Sequence, residues 1–185
     1  MKIESAPQEN LILRSIIIFA TIVLAAALRI APHPWNFTPV GAMALFSGAV
    51  IRGRRFAFLF PLLAMFAGDI FIGLHKLSPV VYASFLFSVA IGRMLQQNRS
   101  IARIGGATLL GALQFFVITN LGVWAFLGSF PHSLAGLLAC YIAGFPFFWN
   151  TLAGDALYAT VLFGSFALVE RLVPSLRRQP CRDAL

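Results

Sequence analysis

Apolar residues fill this chain in long runs, divided by short clusters of arginine, proline and glycine. The runs lack the strict alternation of a half-buried strand and the polar stripe of a soluble amphipathic helix, so they predict membrane-spanning helices. The first covers about residues 11–31, longer than the roughly 7 to 15 residues of a signal-peptide core, and is expected to be retained. The next segment, Pro32-His33-Pro34-Trp35-Asn36-Phe37-Thr38-Pro39, carries three prolines that break a helical ladder. A short helix is predicted over 39–51, with Thr38 as N-cap and Pro39 as its first residue. Further helices are predicted over 56–74, 79–95, 104–127 and 147–172, and residues 133–145 read as a short helix or half-span ended by Pro146. Six crossings result. The expected fold is an all-α integral membrane protein, a compact bundle forming one domain over residues 1–185, with a short N-terminal tail and a basic C-terminal tail.

Composition supports the same reading: 59% of the 185 residues are hydrophobic and 11% charged, where a soluble domain carries roughly a quarter charged. A separate soluble enzyme domain is excluded. The net charge of +8 does not imply nucleic acid, because the basic residues lie between the apolar runs. Positive loop residues are retained in the cytoplasm and should alternate with the crossings. Lys2, Arg14, Arg52, Arg54, Arg55, Arg93, Arg99, Arg103, Arg171, Arg177, Arg178 and Arg182 fall on one side, and Arg29 and Lys76 on the other, a division of 12 to 2. Both termini are therefore expected in the cytoplasm, in a multi-pass protein of the cell (inner) membrane whose basic tail meets anionic headgroups or serves topology alone. Neither Lys2 nor Lys76 follows the glycine of a phosphate-binding loop, so ATP hydrolysis by that route is excluded. No cofactor and no catalytic residue is expected. Cys140 and Cys181 fall on opposite sides of the membrane and are not expected to pair.

Polar side chains inside a bilayer are costly and tend to face a cavity or a partner. Here they lie on one side. At about 1.5 Å per residue, Asp69, Asn120 and Asp155 sit roughly 8, 10 and 12 Å inside the outer ends of their helices. Arg29, Thr119, Asn150 and Thr151 share that outer half, with Gln114 near the middle. Trp35, Trp124, Trp149, Tyr82 and Tyr141 are outer as well, and so are the three loop histidines His33, His75 and His132. An interfacial belt would occupy both faces, so the set points to a lined pocket opening outward. Ala67-Gly68-Asp69 is echoed by Ala153-Gly154-Asp155, and Thr119-Asn120 follows Phe115-Phe116 much as Asn150-Thr151 follows Phe147-Phe148-Trp149. The positive end of the 39–51 helix, with Arg29, forms a corner favouring anions, and Asp69 and Asp155 form one favouring cations or hydrogen-bond donors. Alternatively, Arg29 pairs with one of those aspartates to neutralise buried charge. The expected substrate-binding residues are Arg29, Asn36, Asp69, Asn120, Trp124, Trp149, Asn150 and Asp155, the polar groups orienting a small polar or zwitterionic nutrient and the aromatics stacking it.

At Pro32 to Ala42, Gly68-Asp69, Thr119 to Trp124 and Asn150 to Asp155, the sequence resembles a family of uncharacterised bacterial membrane proteins taken to be transporters. That family is similar to the substrate-binding S components of energy-coupling-factor (ECF) vitamin transporters. The resemblance implies a six-helix bundle that captures a small nutrient in an outward pocket. It also implies delivery by toppling against a membrane coupling subunit driven by two ATPases on other chains. S components commonly dock through small residues spaced four apart on the first helix. The pairs here are Thr21 with Ala25 and Ala27 with Ala31, away from its cytoplasmic end, so a stand-alone carrier is the alternative.

Two other chemistries are available to the same residues. The histidines with Asp69 or Asp155 could ligate a divalent metal for transport, although no two histidines have helical ligand spacing. Two aspartates on facing helices could share a proton as an intramembrane aspartyl enzyme does. Phe66 stands where the Gly-x-Gly-Asp protease pattern has glycine, and neither aspartate follows a tyrosine.

Overall fold

A computed structural model describes residues 36–173, together with Ile16, Phe19, Ala20, Val23 and Ala27. The rest of the first predicted run, Arg29, Trp35 and the tail beyond Val173 lie outside the described residues. Those five N-terminal residues are helical, and the Phe19 ring meets Phe60 at 5.8 Å. Five helices follow, and no strand occurs among the described residues: α1 Val40–Val50, α2 Arg54–Ile72, α3 Ser78–Arg93, α4 Ile101–Phe126 and α5 Leu134–Leu172.

The first of these, α1, is the core of the bundle. Ten of its eleven residues are buried, as expected of a helix that is apolar all round. At about 1.5 Å per residue it is about 16 Å long. Glycines bring its backbone against that of α3. A methyl group on Gly48 would strike the Val89 carbonyl, and one on Gly92 would strike that of Leu45. Such reciprocal contact needs small residues at both positions. On another side Phe46 makes edge-to-face contacts with Phe163 at 5.2 Å and Phe166 at 5.6 Å. The C-terminal carbonyls of α1, which have no helical partner, are served from the α3–α4 turn: Gln96 Nε2 donates to Gly48 O at 2.9 Å and Ile51 O at 3.0 Å.

Helix α2 contains Pro61, which has no N–H for the carbonyl four residues back. That carbonyl, on Ala57, instead accepts the Ser47 hydroxyl of α1 at 2.8 Å. A side chain of the central helix thus repairs the ladder of its neighbour. Between α3 and α4, Gln114 Nε2 donates to Ser84 O at 3.1 Å and Ser88 Oγ at 2.9 Å, and its Oε1 accepts from Ser84 Oγ at 3.1 Å. At the far end of α4 and α5, Arg99 pairs with Glu170 at 3.3 Å and lies over the Phe166 ring.

Two sequence expectations need correction. Residues 133–145 and 147–172 are not separate elements: α5 runs unbroken for 39 residues with Pro146 inside. Proline removes one hydrogen bond, and packing on α4 holds the helix on both sides of the gap. Tyr141 donates to Val117 O at 2.9 Å, and Phe116 contacts both Tyr141 and Phe148. Nor is Thr38 an N-cap. Helix α1 begins at Val40, with Pro39 at the cap position and no capping bond from that residue's side chain.

Helices α4 and α5 are each long and apolar enough to cross a membrane. The outer surface of the bundle is apolar along whole helices. Phe56, Leu59, Leu63, Phe66 and Ile70 form an exposed stripe on α2 at spacings of three and four, and Leu109, Leu113, Val117 and Leu121 form one on α4.

The Ser47 and Ala57 pairing predicts a coupling. Replacing Ser47 by Ala orphans a buried carbonyl and should lower stability by about 1–3 kcal/mol. In a Pro61→Ala background, where residue 61 regains an N–H for Ala57, the same change should have less than half that effect. Thermal unfolding of the four purified proteins measures both.

Candidate functional site

The site is built where α1 stops. Its first turn presents N–H groups with no partner in the helix. Asn36 adopts a left-handed backbone with φ of 62°, which asparagine tolerates better than most residues. From there the chain passes through Phe37 and Thr38 into Pro39. Helix α5 crosses this segment at Gly154, where an added methyl would meet the Phe37 and Thr38 backbone at 3.2 Å. The next residue, Asp155, reaches the end of α1: its Oδ1 accepts the Ala42 N–H at 3.0 Å. A carboxylate on a helix N-terminus is favoured by both the hydrogen bond and the helix dipole. The carboxylate also lies against Gly41, where a methyl group would collide with it. A residue 113 positions from Ala42 thus does the work expected of Thr38.

Beyond that N-terminus the surrounding helices enclose a cavity of about 460 Å³, within the size range of small-molecule sites. Thr38 and Val40 form its floor. Phe115, Phe116, Thr119 and Asn120 line it from α4, and Cys140, Gly144, Phe147, Phe148 and Thr151 from α5. Val81 and Phe85 of α3 close a third side, with His75 and Phe130 reaching in from the two adjacent loops. A second cavity of about 30 Å³ shares Asn36, Thr38, Phe85, Phe115 and Thr151 with the first and extends to Gly41, Ser88 and Asp155. That is room for about one water-sized group.

The polar wall groups are tied to their own helices. Thr119 Oγ1 donates to Phe115 O at 2.7 Å, Asn120 Nδ2 to Phe116 O at 2.8 Å, and Thr151 Oγ1 to Phe147 O at 3.0 Å. The Cys140 thiol donates across to Asn120 O at 3.3 Å. Asn120 Oδ1 lies against Gly144, which has no side chain to displace it.

Of the eight residues expected to bind ligand, Asn36 and Asn120 line the main cavity and Asp155 the small one. Four others lie off both. Asp69 is buried and accepts the Tyr82 hydroxyl at 2.5 Å. Trp124 donates its Nε1 to Pro131 O at 2.9 Å, and its carbonyl contacts His132 Nε2 at 3.0 Å. It pins the α4–α5 loop that carries Phe130 and is not itself part of the wall. Trp149 is 55% exposed and packs on Phe145 and Phe148. Asn150 is half-buried on α5 outside the lining. The eighth, Arg29, lies outside the described residues. Among the described residues no three His, Cys, Asp or Glu side chains gather as a metal site would require, and the two aspartates bond different partners.

The aromatic walls were harder to foresee. Among 19 phenylalanines most carry no signal. The pairs Phe115-Phe116 and Phe147-Phe148 do, because each precedes Thr119-Asn120 or Thr151 by one helical turn and so shares its face.

All of this lies at one end of the bundle, with Lys76 beside His75. Arg52, Arg54 and Arg55 after α1, Arg93 at the end of α3, Arg103 in α4 and Arg171 in α5 belong to the opposite helix ends.

The Asp155 contact predicts unequal costs. Asp155→Asn keeps an acceptor but loses charge at the helix end, and should cost about 1 kcal/mol. Asp155→Ala orphans the Ala42 N–H and should cost about 1–3 kcal/mol. Gly41→Ala drives a methyl into the carboxylate and destabilises the protein, yet should do so far less when Asp155 is Ala. Unfolding midpoints of the single and double variants check the set.

Comparison with curated proteins and with solved structures returned no match. Residues 9–176 match the profile of a family of unknown function, DUF6580. With nearly its whole length covered, the chain belongs to the DUF6580 family.

Proposed function

We propose that this chain is a multi-pass membrane protein of the cell (inner) membrane that binds a small nutrient for uptake in the cavity above α1. One observation carries the reading: a cavity of about 460 Å³ with aromatic walls and hydrogen-bonding groups, at one end of a bundle whose outer surface is apolar. Extended exposed apolar surface is costly in water and ordinary against lipid. The helix ends rich in arginine lie opposite the cavity, which supports a cytoplasmic arginine face and an outward-facing cavity. Six spans with both termini inside are part of the proposal, with the first apolar run as one of them. The short α1 fits as a crossing because protein surrounds it, so it need not match the hydrocarbon thickness.

The chain has no phosphate-binding loop and acts as a binding component without catalysis of its own. Energy for release comes from a membrane coupling subunit and ATPases on other chains, as the likeness to ECF S components suggests. The cavity's location and the absence of a phosphate-binding loop support this assignment.

Two measurements test the reading. Native mass spectrometry of gently purified protein should detect a retained small molecule. Ala143 of α5 also lines the cavity, and Ala143→Trp, which fills it, should abolish that signal without changing the elution volume; a wild-type protein that never retains or binds a small molecule defeats the proposal. For topology, a membrane-impermeant maleimide applied to intact cells should label Ser129→Cys in a cysteine-free background and leave Cys181, as sole cysteine, unlabelled. The reverse pattern would place the cavity on the cytoplasmic side.

A further inference from the structure

The wall chemistry narrows the ligand, given the binding role proposed above. Thr119, Cys140 and Thr151 have committed their only side-chain hydrogen to a backbone carbonyl, and Asn120 one of its two. A helical threonine that donates to the carbonyl one turn back keeps its lone pairs for others, and the Asn120 amide retains its oxygen together with one hydrogen. From two facing helices, the middle of the cavity therefore presents acceptors. At the rim His75 offers the opposite sense. Its Nδ1 accepts the Leu77 N–H at 3.2 Å, leaving Nε2 to carry the ring hydrogen.

Among the described wall residues of the main cavity, no side chain other than His75 is ionisable except the committed Cys140. Asp155, in the small cavity below, already serves the N-terminus of α1. The remaining wall is dominated by Phe85, Phe115, Phe116, Phe130, Phe147 and Phe148, whose flat faces suit a ring system.

We infer that the cavity selects an uncharged, planar ring compound whose hydrogen-bond donors meet Thr119, Asn120 and Thr151. A zwitterion would need a fixed partner for each charge, because leaving a charge unpaired in such a wall is expensive. A neutral ring with N–H or O–H edges satisfies the threonine acceptors without bringing in a charge.

Four isosteric probes separate the possibilities, measured by equilibrium dialysis against the full-length purified protein with Ala143→Trp as the blank. Naphthalene-2-carboxamide offers donors, 2-acetylnaphthalene offers none, 2-naphthoate is an anion and 2-naphthylmethylamine a cation. The carboxamide should bind about tenfold tighter than each of the others, the discrimination expected when a polar site is left unpaired. In Thr119→Val/Thr151→Val its advantage over the ketone should fall below about threefold, with the ketone unchanged. Thr151→Ser, which keeps the hydroxyl, should retain the preference and guards against misfolding of the double variant.

A charged probe that binds as well as the carboxamide, in a manner Ala143→Trp abolishes, overturns the inference while leaving the cavity as a binding site. If that probe is 2-naphthoate and Arg29→Gln removes its binding, the arginine belongs to the site. An unchanged preference in the double valine variant removes the threonines from it. Binding of none of the four above the blank overturns the inference and, if native mass spectrometry also finds no retained molecule, the binding role with it.

Discussion

A helix buried along its length still has unpaired backbone groups at its two ends, and side chains of neighbouring elements are well placed to meet them. Helix α1 is in that position, and the neighbouring elements are arranged around meeting its needs. Asp155 serves the N-terminus from α5, and Gln96 serves the C-terminus from the α3–α4 turn. In the other direction, Ser47 of α1 gives its hydroxyl to the carbonyl that Pro61 frees in α2. These bonds join residues 113, 48 and 10 positions apart, and together they set the height of α1 relative to every helix that touches it.

The cavity is a consequence of that height. Because α1 ends partway along the bundle, α3, α4 and α5 continue past it with nothing central to pack against. The space they enclose has the beginning of α1 for a floor and side chains from two loops around its mouth. The polar residues of this region divide into two kinds. Asp155, Asp69 and Trp124 hold backbone or neighbouring side chains in place, whereas Thr119 and Thr151 anchor their hydrogens on their own helices and keep oxygen lone pairs for the cavity they line. Burial alone does not separate the kinds. Where each hydrogen goes does.

Much of the architecture is legible in the chain because hydrophobic run length and punctuation are local. The predicted 39–51, 56–74, 79–95 and 104–127 helices lie within three residues of α1 to α4 at each end. The failures are tertiary. Proline at 146 reads as a stop, since its local effect is to remove a bond, and only the contacts of α4 on both sides keep the helix whole. Thr38 before a proline reads as a cap, and nothing local shows that a distant aspartate takes that role. At the site, helical depth brings Asn36, Asn120 and Asp155 near the right level, but depth does not give rotation about the helix axis. That is why Asp69, Trp149 and Asn150, at similar heights, lie off the lining. The Ala-Gly-Asp echo has the same limit: one copy accepts a backbone amide and the other a phenol.

Pro146 stands level with the cavity it helps to enclose. Cys140 and Gly144 precede it along α5, and Phe147, Phe148 and Thr151 follow it. With one rung missing from the ladder between these two groups, α5 has its softest joint at the pocket's waist. The opposite wall, on α3, is clamped backbone to backbone on α1 through Gly48 and Gly92. The chamber thus has a stiff side and a compliant one, and changes in its width are easiest at the Pro146 gap in α5.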